Sequence, residues 1–381
     1  MKPKRIFIIS FILFLLVSFV ILIFSQEFRT QDIVRDQEIR MEQNRGFGDI
    51  VKQSFEPLEP TPTPKPKLVL KPLPESKNLS GGIQVFQSFN NCGPASLSMA
   101  LSHYDISQSQ TVLGQSLRPW QNSIGDNDDK SVTLVELAQK AEEFGFITYR
   151  RPAGNVEIVK HLINYDIPVI TRTWLTLGED IGHYRVITGF DETTQTFIQD
   201  DSLQGAQLHY SYQDYLDLWQ AFNYEFLVLV PADKAAIAEA IMGELVVETD
   251  AWEIALEAAN QQIAQNQSDL YAQFNKSVAL YELGRYEEAI QIYEAIHTRL
   301  PFRMLWYQIE PILAYYQNGD YDKVLSMTDQ VLQNQNRAFS ELYQLRGQIF
   351  QSRSQTELSN QAFALANQYG SDNKYWLKNL Q

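Results

Sequence analysis

Four positions constrain this chain most: Asp250, Gly284, Gly319 and Ser354 recur at spacings of 34, 35 and 35 residues. Two residues after each stand Trp252, Tyr286, Tyr321 and Thr356. The two middle units read ELGRYEEAIQIYEAI and QNGDYDKVLSMTDQV, with apolar and small residues at helical spacing and a glycine at the expected turn. Strand-like patterns stop near residue 236. A helical hairpin of this size cannot bury its apolar face alone, so residues 236 to about 373 are expected to stack as four helical units, the fourth degenerate.

The opposite end carries a different signal. Lys2, Lys4 and Arg5 precede an apolar run from Ile6 to Phe24, broken only by Ser10 and Ser18. As a helix it would rise about 28 Å, close to the hydrocarbon thickness of a bilayer. A core helix would carry a polar face, and this run has none. The run is longer than a signal-peptide core and lacks a small-residue cleavage site, which favours a transmembrane anchor over a signal peptide. The basic flank predicts a cytoplasmic amino end, with the bulk of the chain extracytoplasmic. Residues 26–78 read as a polar, then proline-rich linker, with seven prolines between positions 56 and 75.

Residues 79–231 have mixed character. Helices are expected over Pro94–Tyr104, Val132–Phe144 (capped by Thr133, with Glu136 three residues on) and Val156–Tyr165. Strands are expected at Pro168–Trp174, His183–Phe190, Thr196–Asp200 and Phe226–Val230. Helices first and strands later imply an α+β class with a mostly antiparallel sheet.

The net charge is −15, from 46 acidic and 31 basic residues, with no basic stripe, which excludes nucleic acid as a partner. Cys92 is the only cysteine, so neither an internal disulfide nor a multi-thiolate zinc site can form. Cys92 precedes Gly93–Pro94 and the first helix, where the peptide dipoles favour a thiolate. A thiol nucleophile needs an imidazole. Of His103, His161, His183, His209 and His297, only His183 heads a strand after a glycine, opposite a nucleophilic helix. The next strand ends in IQDDS, so Asp200 or Asp201 is available to hold the imidazole tautomer. Gln87, five residues before Cys92, is placed to donate to an oxyanion. Asp126, Asp128 and Asp129 lack the closing glutamate of a calcium loop and read as a solvated acidic turn.

NCGPASLSMAL followed by GHYRVITGFDETTQTFIQDDS resembles the C39-like peptidases, papain-like enzymes related to double-glycine peptidases. The likeness covers about residues 82–231 and also includes DNDDKSVTLVELAQKAEEFG. It implies a papain-like cysteine peptidase domain with Cys92 as nucleophile, His183 as base, Gln87 as oxyanion donor and an Asp after the second strand as orienter. The usual Asp-Pro is here Asp200–Asp201–Ser202. Asp201 is preferred, because Ser202 then takes the proline place. No P-loop accompanies the domain, so coupling to a transporter is not implied. The repeat is similar to the tetratricopeptide (TPR) family. Gly284, Tyr286, Ala289, Tyr293 and Pro301 fall at its turn, second-helix and terminal-proline positions, and Gly243, Ser277 and Gly347 at its close-packing position. The full expectation is an N-terminal transmembrane helix, a papain-like domain and an all-α TPR solenoid. A peptide or protein substrate, a partner on the repeats and no cofactor complete it. A non-catalytic peptide- or cell-wall-binding protein and a thiol acyltransferase remain the alternatives.

Overall fold

The computed structural model describes residues 68–120, 130–334, 336–370, 373–376 and 380. The apolar run, the linker up to residue 67 and the acidic turn at 126–129 lie outside the described residues. Among the described residues no helix is long and apolar enough to cross a membrane.

The sheet is built from β1 (Ser76–Asn78), β2 (Ile147–Arg151), β3 (Val169–Trp174), β4 (Gly182–Asp191), β5 (Thr196–Asp201), β6 (Gly205–Ser211) and β7 (Phe226–Val230). All pairs are antiparallel, in the order β2-β7-β3-β4-β5-β6, with β1 on β4 beyond the reach of β3. Three expected strands and Phe226–Val230 are present within a residue or two at each end. β2 was not foreseen as a strand: ITYRR lacks a clean apolar alternation, and its neighbour β7 holds it; β6 falls on the polar, strand-like stretch around His209. Of the residues expected as spacer, Ser76–Asn78 join this sheet instead, and the stretch from Leu70 leads into them. Leu70 and Leu73 pack on its core, Lys71 N–H donates to the Tyr165 hydroxyl at 2.7 Å, and Ser76–Asn78 pair with Gly189–Asp191.

Helices cover both faces. On one side lie α1 (Cys92–Ser102), α2 (Gln110–Leu117) and α3 (Leu134–Glu142), packed on Ile170, Tyr184, Val186, Leu227 and Leu229. On the other lie α4 (Val156–Asn164), α5 (Tyr212–Trp219) and α6 (Ala235–Met242), packed on Val169, Ile187, Phe226, Val228 and Val230. The alternation along β7 assigns odd and even residues to opposite cores, as the two-residue period of a strand requires. Thr133 closes the expected capping box: its hydroxyl accepts from Glu136 N–H at 3.2 Å, and Glu136 accepts from Thr133 N–H at 2.8 Å.

The rest of the chain is helical: α7 (Glu248–Gln265), α8 (Leu270–Glu282), α9 (Tyr286–Ile296), α10 (Met304–Tyr307), α11 (Glu310–Gln317), α12 (Tyr321–Gln333), α13 (Ser340–Ser352) and α14 (Thr356–Gly370). Gly284, Gly319 and Ser354 sit at inter-helix turns with left-handed φ of 74°, 80° and 58°. Asp250, expected as their equivalent, lies inside α7 instead. Gly243 also departs from expectation. It ends α6 with φ 57° and faces open space, whereas a close-packing residue must touch a second helix. Ser277 and Gly347 do hold such places: the Ser277 hydroxyl donates to Ala289 O at 2.8 Å, and Ser359 to Gly347 O at 3.0 Å. A Cβ on Gly347 would meet the Phe363 ring at 2.5 Å. Gly347→Leu should therefore cost about 2 kcal/mol through overpacking. Urea unfolding measures this, and an unchanged midpoint would show that α13 and α14 separate freely.

The helical array shares a core with the sheet. Trp174, Leu218 and Phe222 are buried in the same cluster as Trp252, Phe274, Met304 and Trp306.

Candidate active site

Cys92 is the first residue of α1. Asn90 makes the turn into it with φ 52°, a conformation asparagine adopts more readily than most side chains. Asn91, the residue before the helix, does not cap it with its side chain. That side chain instead donates to Gln110 O at 3.1 Å and Oε1 at 2.9 Å, and accepts from Arg118 Nη1 at 3.1 Å. The start of α1 is thereby tied to α2 and to the buried Arg118.

His183 is the second residue of β4. His183 and Arg185 point to one face, and Arg185 pairs with Asp201 across the β4–β5 ladder. His183 Nε2 meets Asp201 Oδ1 at 2.9 Å. The same oxygen accepts the N–H of Leu203 at 2.7 Å and of Gln204 at 2.9 Å. Asp201 Oδ2 lies 3.1 Å from Arg185 Nε, an ion pair outside hydrogen-bond geometry. Asp200 projects to the opposite face, where Oδ1 accepts Gln207 N–H at 2.9 Å and its charge acts on His103. Of the two candidate orienters, only Asp201 contacts His183.

With Nε2 committed to Asp201, Nδ1 is the ring nitrogen left for the thiol, and Cys92 and His183 are close enough that each acts on the other's proton affinity. Burial alone raises the Cys92 pKa. The hydrogen bond and charge of His183, the Tyr184 N–H and the Arg118 charge more than offset it, so the thiol lies below its ordinary 9.0. Burial lowers the His183 pKa, but the Asp201 and Cys92 bonds and charges outweigh that and hold it above 6.5. Asp201 is also raised by burial, yet its His183 bond, the His183 and Arg185 charges and the Gln204 N–H bring it down to about 2. Both directions move the pair toward thiolate and imidazolium. Cys92 is 6% exposed and His183 2%, so the pair is shielded from bulk water.

Gln87 is fixed by the segment after Asp201. Its N–H donates to Ser202 O at 2.9 Å, and its Oε1 accepts the Ser202 hydroxyl at 2.7 Å. The amide nitrogen remains its free donor end. Ser202, which stands in the proline place, thus makes a contact a proline cannot. His161 lies on α4, and His209 Nδ1 is 3.3 Å from Thr196 Oγ1 near the surface. His297 follows α9 in the array.

Sequence reasoning missed Arg185, Arg118 and Arg172. Arg185 was findable, since H-x-R within a strand puts both side chains on one face. It also donates to Trp174 O and Leu175 O, each at 2.8 Å. Arg118 and Arg172 had no local signal. Arg172 donates to Val132 O at 2.8 Å, the carbonyl that also accepts the Tyr184 hydroxyl at 2.7 Å. A cavity of about 460 Å³ lies between the sheet and the array, lined in part by Arg150, Glu225, Trp252, Glu282 and Glu310. No cysteine or histidine lines it, so the thiol site is the better candidate for chemistry.

Residues 76–226 match the profile of the Peptidase_C39 like family. Two solved structures are similar to this chain. One, from Bacillus anthracis and described as a C39-like peptidase, is 14% identical, with 41% of this chain and 98% of that one covered and a TM-score of 0.35. The other is the peptidase domain of Streptococcus ComA, a bi-functional ABC transporter involved in quorum sensing; it is 20% identical, with 39% and 97% covered and a TM-score of 0.28. No curated protein matches the chain. The profile match over residues 76–226 supports a C39-like domain there, and with it a cysteine peptidase.

Proposed function

We propose that this chain cleaves peptide bonds, with Cys92 as nucleophile, His183 as general acid and base, and Asp201 as the group that orients the imidazole. The reading is carried by one observation: His183, held by Asp201 at 2.9 Å, stands beside the Cys92 thiol at the start of α1. The Cys92 thiolate attacks the scissile carbonyl carbon. The developing oxyanion takes N–H donors from the Gln87 side chain and the Cys92 backbone. Imidazolium gives its proton to the leaving amine, which departs and leaves a thioester. Neutral His183 then takes a proton from water, hydroxide adds to the thioester, and the thiolate leaves as the acid is released. Asp201 keeps Nε2–H directed at itself throughout, so that Nδ1 faces the sulfur.

Alkylation of Cys92 with iodoacetamide across pH tests the pair. A lowered thiol keeps its thiolate above its folded pKa and loses it as pH falls through that value. Labelling should therefore persist below the ordinary thiol range. In His183→Ala the hydrogen bond and charge are gone and burial dominates. The midpoint should move up to or beyond 9.0, with labelling at pH 7 slowed at least about tenfold. Equal profiles in the two proteins would remove the mechanism and leave a binding module.

The apolar run after Lys2, Lys4 and Arg5 supports a further part of this reading: a single-span anchor with a cytoplasmic amino end and an extracytoplasmic peptidase. The 34- and 35-residue spacing, with left-handed turns at Gly284, Gly319 and Ser354, supports TPR-like repeats that bind a protein partner. Protease accessibility of a carboxyl-terminal tag on intact cells checks the orientation.

A further inference from the structure

The profile match ends at residue 226, yet the head of β4 is covered by a side chain from far beyond it. Tyr307, the last residue of α10, lies on Gly182, the residue before His183. A Cβ at Gly182 would stand 2.9–3.0 Å from three Tyr307 ring carbons, so only glycine admits this approach. The Tyr307 hydroxyl donates to Asp180 O at 3.4 Å. Its ring meets Trp174 at 5.9 Å and Phe222 at 6.1 Å, and its carbonyl accepts from Arg172 Nη1 at 2.8 Å.

The loop 175–181 that leads into His183 is held from two sides. From within the sheet Arg185, already paired with Asp201, grips Trp174 O and Leu175 O. From the array Arg303 forms an ion pair with Asp180, and its backbone N–H donates to Asp180 Oδ2 at 3.2 Å. Leu175 N–H closes the loop on Ile181 O at 2.8 Å. Removing the outer grip frees one side of the segment on which the imidazole is mounted.

We propose that Tyr307 is a positioning residue of the thiol site: the helical array, through its ring on Gly182, holds His183 in line with Cys92 and walls that end of the cleft. The proposal rests on the Cys92–His183 reading. It makes the array a part of the peptidase site as well as a recognition surface. The charged and polar groups that bear on the Cys92 sulfur are His183 and the Tyr184 N–H from β4 and Arg118 after α2, and its charge in turn reaches the Tyr184 and Tyr307 hydroxyls. Of these, Tyr307 comes from the array.

The test is iodoacetamide alkylation of Cys92 across pH in the full chain, with folding checked by circular dichroism. Tyr307→Ala should slow labelling at pH 7 about tenfold and raise its midpoint by about one pH unit, since a tenfold smaller thiolate fraction is one unit. Tyr307→Phe keeps the ring and should recover to within about threefold of the native rate. A role confined to stability would lower the melting temperature without moving the profile of the folded protein. A folded Tyr307→Ala with the native profile overturns the proposal. Should that variant fail to fold, Asp180→Asn loosens the same loop from the array; a slower, upshifted profile supports the proposal, and a native one overturns it. The peptidase reading fails separately, if native Cys92 labels slowly and only at alkaline pH.

Discussion

Cys92→Ala should abolish the proposed peptide hydrolysis, a loss of at least about 10³-fold, while the fold survives. No other residue can replace the sulfur, since the chain has one cysteine. Alanine fits the site: Cys92 packs among Leu97, Val132 and Tyr184, and the variant loses one buried atom from that cluster. The expected destabilisation is about 1 kcal/mol. Mass spectrometry of a peptide library, beside thermal melting of both proteins, reads the two effects independently. Undiminished cleavage by the folded variant would place the chemistry elsewhere.

Lys130→Met is the largest expected stability change. The Lys130 ammonium is 8% exposed and bridges Glu136, at 2.7 Å and 0% exposed, and Glu341, 1% exposed. Desolvation opposes the charge on Lys130, but the two carboxylates outweigh it and raise its pKa. The bridge is therefore complete below the ordinary lysine range and is lost only as pH rises through the raised value. Asn373 adds a donor to Glu136 at 2.5 Å. Methionine keeps the volume but takes the shared cation from two buried carboxylates, a change that costs about 3–5 kcal/mol. Urea denaturation at neutral pH measures it, and a loss under about 1 kcal/mol would mean that water replaces the ammonium. The triple variant that adds Glu136→Gln and Glu341→Gln should recover part of the loss. This bridge joins α3 to α13, and the nearby Val132 carbonyl holds Tyr184 and Arg172 behind Cys92. The variant should thus also raise the pH midpoint of Cys92 labelling.

Much of this site was readable in advance, and the reason is range. The helix after Cys92, the capping box at Thr133 and Glu136, and the strands bearing His183 and Asp201 depend on neighbours within about four residues. The order Gln87, Cys92, His183, Asp201 was recognisable because its two segments keep short, dense motifs. Asp201 was preferred over Asp200 only through the family's Asp-Pro pattern, since both are carboxylates in one run. Strand pleat separates them: Asp201 shares the Arg185 face, and Asp200 takes the other. The repeat equivalence given to Asp250 and the packing role given to Gly243 failed because a repeat spacing continues to match after the terminal unit has changed its geometry.

Residue identity and local period were therefore enough for the elements, the lone thiol and its candidate imidazole. They could not establish that His183 meets Cys92 across 91 positions, nor that Tyr307 reaches Gly182 and Arg172, the latter 135 residues away. Such contacts leave no periodic trace, because a side chain becomes a neighbour only after the sheet has twisted and the helices have packed against it. Chain folding over those distances brings the two arginines, the shielding of the pair and the covering tyrosine to one place, and the acidity of the sulfur follows from that assembly.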